Sequence, residues 1–178
     1  IKGILAHELA NPGQITACDI LESRLAYMAS EYGINTSTDS ATEIADATIV
    51  VLSIKPQVLA GVGASLKGKA PKDALVLSII AGASLDTLIE GTGNSQMVRS
   101  MPNTPAQVNM GVTCWMAAED VTTEQKEQTK SILGALGEEI EVYKEDFLDM
   151  QTGLGGSGPG FVFLIIEAMI DAGVQMGF

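Results

Sequence analysis

Short polar segments follow three strand-like runs of apolar residues, and these segments carry the residue types that could bind a ligand. They are Ser53–Pro56 (SIKP), Ser78–Gly82 (SIIAG) and Ser100–Pro105 (SMPNTP). In open α/β sheets, ligands bind at the carboxyl ends of the strands. Small residues at such positions let a ligand approach the backbone amides and carbonyls. We therefore expect the three segments to line one crevice.

Two prolines bracket Asn103 and Thr104 within the stretch Arg99–Gly111 (RSMPNTPAQVNMG). Each proline fixes its own φ and pushes the preceding residue toward extended geometry. We predict a stiff, non-regular segment that directly follows a short strand, Gln96–Val98, and holds the two polar side chains rigidly where that strand ends. The alternative for this stretch taken alone is an ordinary proline-rich loop.

Three further features carry weaker signals. Asp19 follows a strand-like run, where an acidic residue can bond a ribose 2′-hydroxyl and would repel a 2′-phosphate; the alternative is an exposed turn aspartate. Lys55 could face a phosphate or be solvated at a helix start. Gly153–Gly160 lacks the Lys-Ser or Lys-Thr ending of a phosphate-binding loop, so we predict a hinge there.

Composition narrows the function classes. The 178 residues are 46% hydrophobic and 18% charged, as in a soluble globular protein. The formal charge of −12 lacks the basic footprint of a nucleic-acid-binding protein. Cys18 and Cys114 lie far apart without metal-type spacing, so we expect no metal site, no disulfide and a cytoplasmic location. The apolar run Phe161–Ile170 contains Glu167, so we expect a buried helix rather than a membrane span.

Strand-like and helix-like segments alternate along the chain, which predicts βαβ units and a doubly wound, mostly parallel sheet. Strands are predicted at Gln14–Cys18, Ile34–Thr36, Ala47–Ile54, Ala74–Ile80, Gln96–Val98, Val112–Ala117 and Glu139–Tyr143. Helices are predicted at Ile1–Leu9, Leu21–Tyr32, Ser40–Ala45, Pro56–Leu66, Leu85–Ile89, Thr123–Leu136, Asp146–Thr152 and Phe161–Met176.

Some of these elements carry more specific expectations. Ala47–Ile54 and Ala74–Ile80 are continuous apolar runs, which are typical of strands buried on both faces. Val112–Ala117 and Glu139–Tyr143 are expected to form a hairpin-type pair at the sheet edge. Gly33, Ser84 and Thr122 are expected to cap helices.

The segments SIKPQ, SIIAG, RSMPNTPAQVNMG and GSGPGFVFLIIEA, in this order, resemble the pyrroline-5-carboxylate reductase family. The resemblance runs the whole length of the chain, and the MPNTP element is specific to that family. It implies a Rossmann-type domain at residues 1–152 and the start of an all-α dimerisation domain at residues 153–178. It also implies that NADPH or NADH delivers hydride to the C=N carbon of 1-pyrroline-5-carboxylate, which gives L-proline in the last step of proline synthesis.

The resemblance assigns two groups of site residues. Those expected to contact the cofactor are Asp19, Ser40, Ser53, Ile54, Lys55, Pro56, Ile79, Ile80, Ala81 and Asn103. Those expected to line the pocket for the imine substrate are Met101, Pro102, Asn103, Thr104, Ser157 and Gly158.

Cofactor preference is left open by the resemblance. Asp19 stands where NADPH-using members often have a small hydroxyl residue, which favours NADH, while Arg24 nearby could offset that preference. Ser40 replaces an asparagine that is usual in the family.

Relative to the family, the chain lacks the first strand, the glycine-rich pyrophosphate loop and the Ser/Thr-rich loop that binds the substrate. No catalytic residue is therefore assigned, and these 178 residues alone are not expected to be active. Reduction of a protonated iminium needs positioning more than acid–base groups.

The apolar C-terminal helix predicts a homodimer or a larger homo-oligomer, with Glu167 either buried and paired or turned toward the crevice. No nucleic-acid or membrane partner is expected. Two other functions remain open. One is a small Rossmann reductase for a hydroxy or keto acid. The other is a truncated, non-catalytic nucleotide-binding or interaction module whose apolar tail, Phe161–Phe178, docks onto a partner subunit.

Overall fold

Strands and helices alternate along the chain, as the sequence predicts. The computed structural model describes all residues from Ile1 to Phe178. The strands are β1 (Thr16–Cys18), β2 (Asn35–Ser37), β3 (Ile49–Leu52), β4 (Leu75–Ser78), β5 (Met97–Met101), β6 (Gly111–Ala117) and β7 (Gly137–Glu141). The helices are α1 (Lys2–Ala6), α2 (Glu22–Tyr32), α3 (Ser40–Glu43), α4 (Leu59–Leu66), α5 (Leu85–Thr92), α6 (Thr123–Gly134), α7 (Asp146–Gln151) and α8 (Gly158–Gln175).

The strands form two ladders that share no pairing with each other. β1 and β2 pair in parallel, and the other strands form a five-stranded sheet in the order β3-β4-β5-β6-β7. Every neighbouring pair in that sheet is parallel except β5 and β6. The prediction of an α/β fold with a mostly parallel sheet is therefore confirmed.

The predicted hairpin-type pair at the sheet edge is wrong. β6 and β7 pair in parallel, with Gly111 beside Gly137, because helix α6 carries the chain back to the starting edge between them. The antiparallel neighbour of β6 is instead β5, since the short connection at residues 102–110 reverses the chain. The one antiparallel pair therefore lies directly beside the proline-containing segment.

The core covers both faces of β4, whose residues are all buried. Val76 packs with Leu88 on one face, and Leu77 packs with Trp115 on the other. The predicted burial of this strand on both faces is confirmed. The same prediction for the run that contains β3 is wrong, because β3 is an edge strand of its sheet and Val51 is 45% exposed.

The segment Arg99–Gly111 is more regular than predicted. Arg99–Met101 forms the end of β5, and Thr104–Val108 forms a 3₁₀ helix with a proline in its first turn. The strand therefore continues to the residue directly before Pro102, and the segment lies outside helices and strands only at Pro102, Asn103, Asn109 and Met110.

The glycine-rich hinge predicted at Gly153–Gly160 is helical. Thr152–Gly156 forms a π-helical segment that joins α7 to α8. The apolar side chains of α8, including Phe161, Phe163 and Ile165, are exposed, and Glu167 is exposed and makes no ion pair within the chain. The single chain therefore does not bury this helix, whose cover the sequence predicts to come from a second subunit, and within the chain Glu167 is neither buried nor paired.

Helices α7 and α8 together are the one stretch, Asp146–Gln175, that is long and apolar enough to cross a membrane by length and composition. A core helix of a soluble protein passes the same test, so this property alone assigns no environment.

The predicted caps are confirmed. Gly33 ends α2 in the left-handed conformation with φ 65°, Ser84 Oγ accepts a hydrogen bond from Thr87 N, and Thr122 Oγ1 accepts one from Gln125 N. The helix predicted from Pro56 begins at Leu59, because Pro56–Val58 forms a 3₁₀ turn first.

A side chain at Gly111 is expected to destabilise the protein, whereas a side chain at Gly61 is expected to stabilise it. A Cβ on Gly111 would lie 2.8 Å from Ala106 Cβ and 2.9 Å from the Ala106 backbone, so Gly111→Ala must push the proline-containing segment away from β6. We expect a loss of about 1–3 kcal/mol, as for other overpacked sites. Gly61 in α4 has nothing within 4 Å, so Gly61→Ala should add about 0.5–1 kcal/mol. Urea denaturation of the two variants checks both signs, and a neutral Gly111→Ala would contradict the packing described here.

Candidate functional site

The ends of three parallel strands lie at one edge of the sheet. The strand register places Leu52 of β3 beside Ser78 of β4, and Ser78 beside Arg99 of β5. The segments that follow these strands therefore leave the sheet at the same edge, as the sequence predicts. This is the edge at which open α/β sheets bind ligands.

Two buried serines fix the loop that follows β4. Ser100 Oγ donates to the carbonyl oxygen of Ser78 at 2.9 Å, and Ser78 Oγ accepts from Ile80 N at 3.2 Å. On the other side, Ile79 N donates to the carbonyl oxygen of Leu52 at 3.1 Å. The loop is thus held by both neighbouring strands before any ligand binds.

The residues predicted to bind the cofactor in these loops differ in how far their side chains are exposed to a ligand. Ser53, Lys55 and Pro56 are exposed, whereas Ile54, Ile79 and Ala81 are half-buried. Ile80 is packed in the core, so only its backbone can face a ligand. The structure thus brings these residues to one edge, and their contact with a cofactor stays a prediction.

Asn103 ties the proline-containing segment to the neighbouring strand. Its Oδ1 accepts a hydrogen bond from Val112 N at 3.0 Å, and its backbone carbonyl accepts from Ala106 N at 3.1 Å. Its Nδ2 donates to no protein acceptor. One end of the amide is therefore structural, and the other end remains available to a ligand. Met101 and Pro102 are half-buried beside it, and Thr104 is exposed.

The glycine-rich π-helical segment lies against the end of β5. A Cβ on Gly156 would lie 3.3 Å from Met101 Cε, and the side-chain amide of Gln151 fills the space where a side chain of Gly155 would be. Gln151 Nε2 also donates to the carbonyl oxygen of Val112 at 3.4 Å. Ser157 and Gly158 follow Gly156 directly in the chain, and their place in the substrate pocket stays a prediction.

A buried cation at the same end of the sheet was not predicted from the sequence. Arg99 is 4% exposed, and its guanidinium donates to Glu145 Oε1 at 2.7 Å and to Asp149 Oδ1 at 2.6 Å. Burial lowers the pKa of Arg99, but the hydrogen bonds and charges of the two carboxylates outweigh it and raise the pKa above its ordinary value. An arginine inside a buried strand and two acids four residues apart were the available signals.

Asp19 and Ser40 lie beside the two-stranded ladder of β1 and β2. Asp19 Oδ1 accepts from Leu21 N at 2.9 Å, so this residue forms a turn at the end of β1. Ser40 is the first residue of α3, which Asp39 caps. Burial, followed by the charges of Glu43 and Asp39, raises the pKa of the Cys18 thiol. The surroundings of the β1 end are therefore acidic. Arg24 makes no ion pair with them, since its guanidinium lies 5.2 Å from the Tyr27 ring centre.

Comparison with known proteins identifies the family. Residues 145–178 match the family described as pyrroline-5-carboxylate reductase dimerisation, and residues 1–82 match that described as NADP oxidoreductase, coenzyme F420-dependent. The pyrroline-5-carboxylate reductases of Synechocystis and Escherichia coli are both 37% identical to the chain, over 98% and 99% of its length. The chain belongs to the pyrroline-5-carboxylate reductase family.

Solved structures agree with this assignment. The Coxiella burnetii pyrroline-5-carboxylate reductase superposes on 99% of the chain with a TM-score of 0.90 and 33% identity. The Plasmodium falciparum pyrroline carboxylate reductase, solved with NADP bound, gives a TM-score of 0.86 at 25% identity. Prephenate dehydrogenase of Aquifex aeolicus, at 15% identity and a TM-score of 0.70, shares the fold. The chain spans 64% and 66% of the length of its Synechocystis and Escherichia coli relatives.

The residues at the site fit part of a dinucleotide cofactor. The loops after β3 and β4 offer backbone and small side chains at the sheet edge, and the free Nδ2 of Asn103 can donate to a carboxamide. A glycine-rich pyrophosphate turn is not among these 178 residues. No group of three or more His, Cys, Asp or Glu side chains is arranged to hold a metal ion.

Asn103→Ala is expected to destabilise the protein by about 1–3 kcal/mol, because it leaves the half-buried Val112 N–H without an acceptor. Asn103→Asp keeps an acceptor oxygen at the same position and is expected to lose less. Urea denaturation measures the difference, and amide exchange at Val112 locates it. Equal losses in the two variants would show that the hydrogen bond to Val112 does not hold this segment.

Proposed function

We propose that the protein reduces 1-pyrroline-5-carboxylate to L-proline with hydride from NADH or NADPH, the last step of proline biosynthesis. The observation that carries the proposal is the meeting of the proline-containing segment after β5 with the glycine-rich segment Gly155–Gly158, where Gly156 lies against Met101. The relatives that match the chain over 98% and 99% of its length are named for this reaction.

The proposed role of the site is positioning. The cofactor, when bound, supplies the hydride. Ser78, Ser100 and Asn103 hold the backbone of the crevice in place. Because this backbone is ordered before the ligands bind, ordering it adds little to the activation free energy. The Met101 side chain, which packs against Gly156, supplies an apolar wall that helps to exclude water.

A protonated iminium is already electrophilic, so the site needs no strong general acid. The chain agrees with this, since its one histidine, His7, is exposed on the surface directly after α1. A reductase for keto acids would need such an acid. Lys126 and Lys130 are paired with Glu141 and Glu127, and Lys144 is exposed. The keto-acid alternative therefore has less support.

We further propose that NADH is preferred to NADPH. Asp19 lies at the end of β1 with Asp39 and Glu43 close to the neighbouring Cys18, and this negative charge would repel a 2′-phosphate. Arg24 forms no ion pair with Asp19 and lies 5.2 Å from the Tyr27 ring centre, which supports the proposal.

We propose a homodimer, or a larger homo-oligomer, formed through α8. The support is the exposure of Phe161, Phe163, Leu164 and Ile165 together with the dimerisation family matched by residues 145–178. Burying each such side chain is worth about 1.5–3 kcal/mol. The substrate is a small molecule, no nucleic-acid or membrane partner is proposed, and the proposed location is the cytoplasm.

The two separate ladders support a proposal about the whole protein. A further parallel strand that pairs with both β1 and β3 would join the ladders into one doubly wound sheet, and the turn after it would hold the pyrophosphate. The domain boundary near residues 152 and 153 also remains a proposal, since the helix is continuous there.

The test is an assay of the full-length protein with 1-pyrroline-5-carboxylate, NADH and NADPH, in which nicotinamide oxidation and L-proline are both measured. We expect both signals in equal amounts. A 2-keto acid is the control substrate. Turnover of the keto acid alone would favour the alternative reductase. NADH binding without turnover would favour a non-catalytic nucleotide-binding module, and absence of both turnover and NADH binding would favour an interaction module.

Asp19→Asn is expected to raise the ratio of kcat/KM for NADPH to that for NADH by about tenfold. The variant keeps the oxygen that accepts from Leu21 N, so the turn is preserved while the charge is removed; tenfold corresponds to about 1.4 kcal/mol. Glu31→Gln, at the far end of α2, removes the same charge as a control. A wild-type protein that already prefers NADPH, or an unchanged ratio in Asp19→Asn, would contradict the assignment.

A further inference from the structure

One carboxylate joins three elements around the crevice. Glu145 precedes α7, and its Oε1 accepts hydrogen bonds from Arg99 Nη1 and from Leu85 N, both at 2.7 Å. Leu85 is the first residue of α5, directly after the loop that follows β4. Arg99 lies on β5, two residues before Met101. Glu145 therefore holds the start of α7 against both the loop after β4 and the strand that leads into the proline-containing segment.

Asp149 also bonds Arg99, but it makes no hydrogen bond to the loop after β4. It lies four residues after Glu145, and its Oδ1 accepts only from Arg99 Nη2, at 2.6 Å. Its side chain is 64% exposed, compared with 32% for Glu145. The two acids therefore form a matched pair in which only Glu145 contacts the loop after β4.

The position of α7 determines where the glycine-rich segment lies on the substrate side of the crevice. The helix continues from Gln151 into the π-helical segment, where Gly156 lies against Met101. Apart from the hydrogen bonds of Glu145 and Asp149, the polar contact that links this helical stretch to the sheet is the long hydrogen bond from Gln151 Nε2 to Val112 O, at 3.4 Å. The hydrogen bonds of Glu145 are shorter and charge-assisted, which makes them the stronger link.

We propose, on the basis of the cofactor and substrate roles proposed above, that Glu145 is a positioning residue for hydride transfer. With Arg99 it fixes the loop after β4, on the cofactor side, relative to Gly155–Gly158, on the substrate side. Glu145 touches neither ligand and acts through Leu85 and Arg99. Misplacement of reacting groups by about 1 Å can cost on the order of 100-fold in rate, so a link that sets the relative position of the two sides affects kcat more than binding.

The experiment compares Glu145→Gln with Asp149→Asn in the full-length protein. Each variant is isosteric, leaves Arg99 with one carboxylate and replaces a charged acceptor with a neutral amide oxygen, which bonds the same donors about half as strongly. Glu145→Gln is expected to lose more thermal stability than Asp149→Asn, because Glu145 is the less exposed of the two acids and serves two donors. We expect Glu145→Gln to lower kcat about tenfold and to change the KM for NADH less than about twofold. Asp149→Asn is expected to keep kcat within about twofold of the wild type. If Glu145→Gln does not fold, Glu145→Asp keeps the charge but is one methylene too short to serve both donors, and the same fall in kcat is expected.

Hydrogen exchange gives a second measurement that does not depend on turnover. Glu145→Gln should speed exchange both in the loop at residues 79–85 and in the segment at residues 152–158, whereas Asp149→Asn should leave the loop unchanged. Equal effects of the two variants on kcat, or unchanged exchange in the loop with Glu145→Gln, would overturn the inference. An inactive wild type that still showed the exchange pattern would instead overturn the proposed function and leave the link between the two sides standing.

Discussion

The burial of Arg99 is the constraint on which the arrangement of the site depends. A charged group that is removed from water costs several kcal/mol unless it is paired and hydrogen-bonded. Both of its partners come from helix α7, where Glu145 directly precedes the helix and Asp149 lies one turn later. Because these acids lie four residues apart on one helical face, the pairing fixes the rotation of the helix as well as its position. The glycine-rich segment after α7 is thereby aimed at the end of β5.

Most polar side chains at the crevice are committed to holding backbone in place. Ser78 and Ser100 connect the ends of β4 and β5, and Asn103 connects the segment after β5 to β6. Such groups cannot also act as mobile acids or bases. That division suits a reaction in which two carbon atoms must meet in a dry pocket and the electrophile is already activated. A keto-acid reductase, which has to deliver a proton as well as a hydride, would place different demands on the same residues.

The sequence predicted those parts of the structure that depend on local chemistry. The apolar run around β4, the caps at Ser84 and Thr122, and the convergence of three strand ends follow from patterns within a few residues. Contacts between distant residues left no such pattern. Arg99 pairs with acids 46 and 50 positions away, and the antiparallel placement of β5 and β6 depends on how a nine-residue connection folds rather than on strand composition. At Gly153–Gly156, glycine propensity argued for a break, but the segment is helical, and Gly155 and Gly156 pack closely against the side chains of Gln151 and Met101.

The exposed face of α8 connects subunit assembly to the site. The stretch Asp146–Gln175 is one helical rod of 30 residues, interrupted only by the π-helical segment. Glu145 and Asp149 fix its first turns to the sheet, and its apolar far end has no covering residues within the chain. If a second copy covers that end, as proposed, the rod is held at both ends. The π-helical segment lies between the two attachments, where a small rotation of α8 relative to α7 would move Gly156 and Ser157 against Met101. Assembly would then set the width of the crevice as well as bury apolar surface, because the same rod takes part in both.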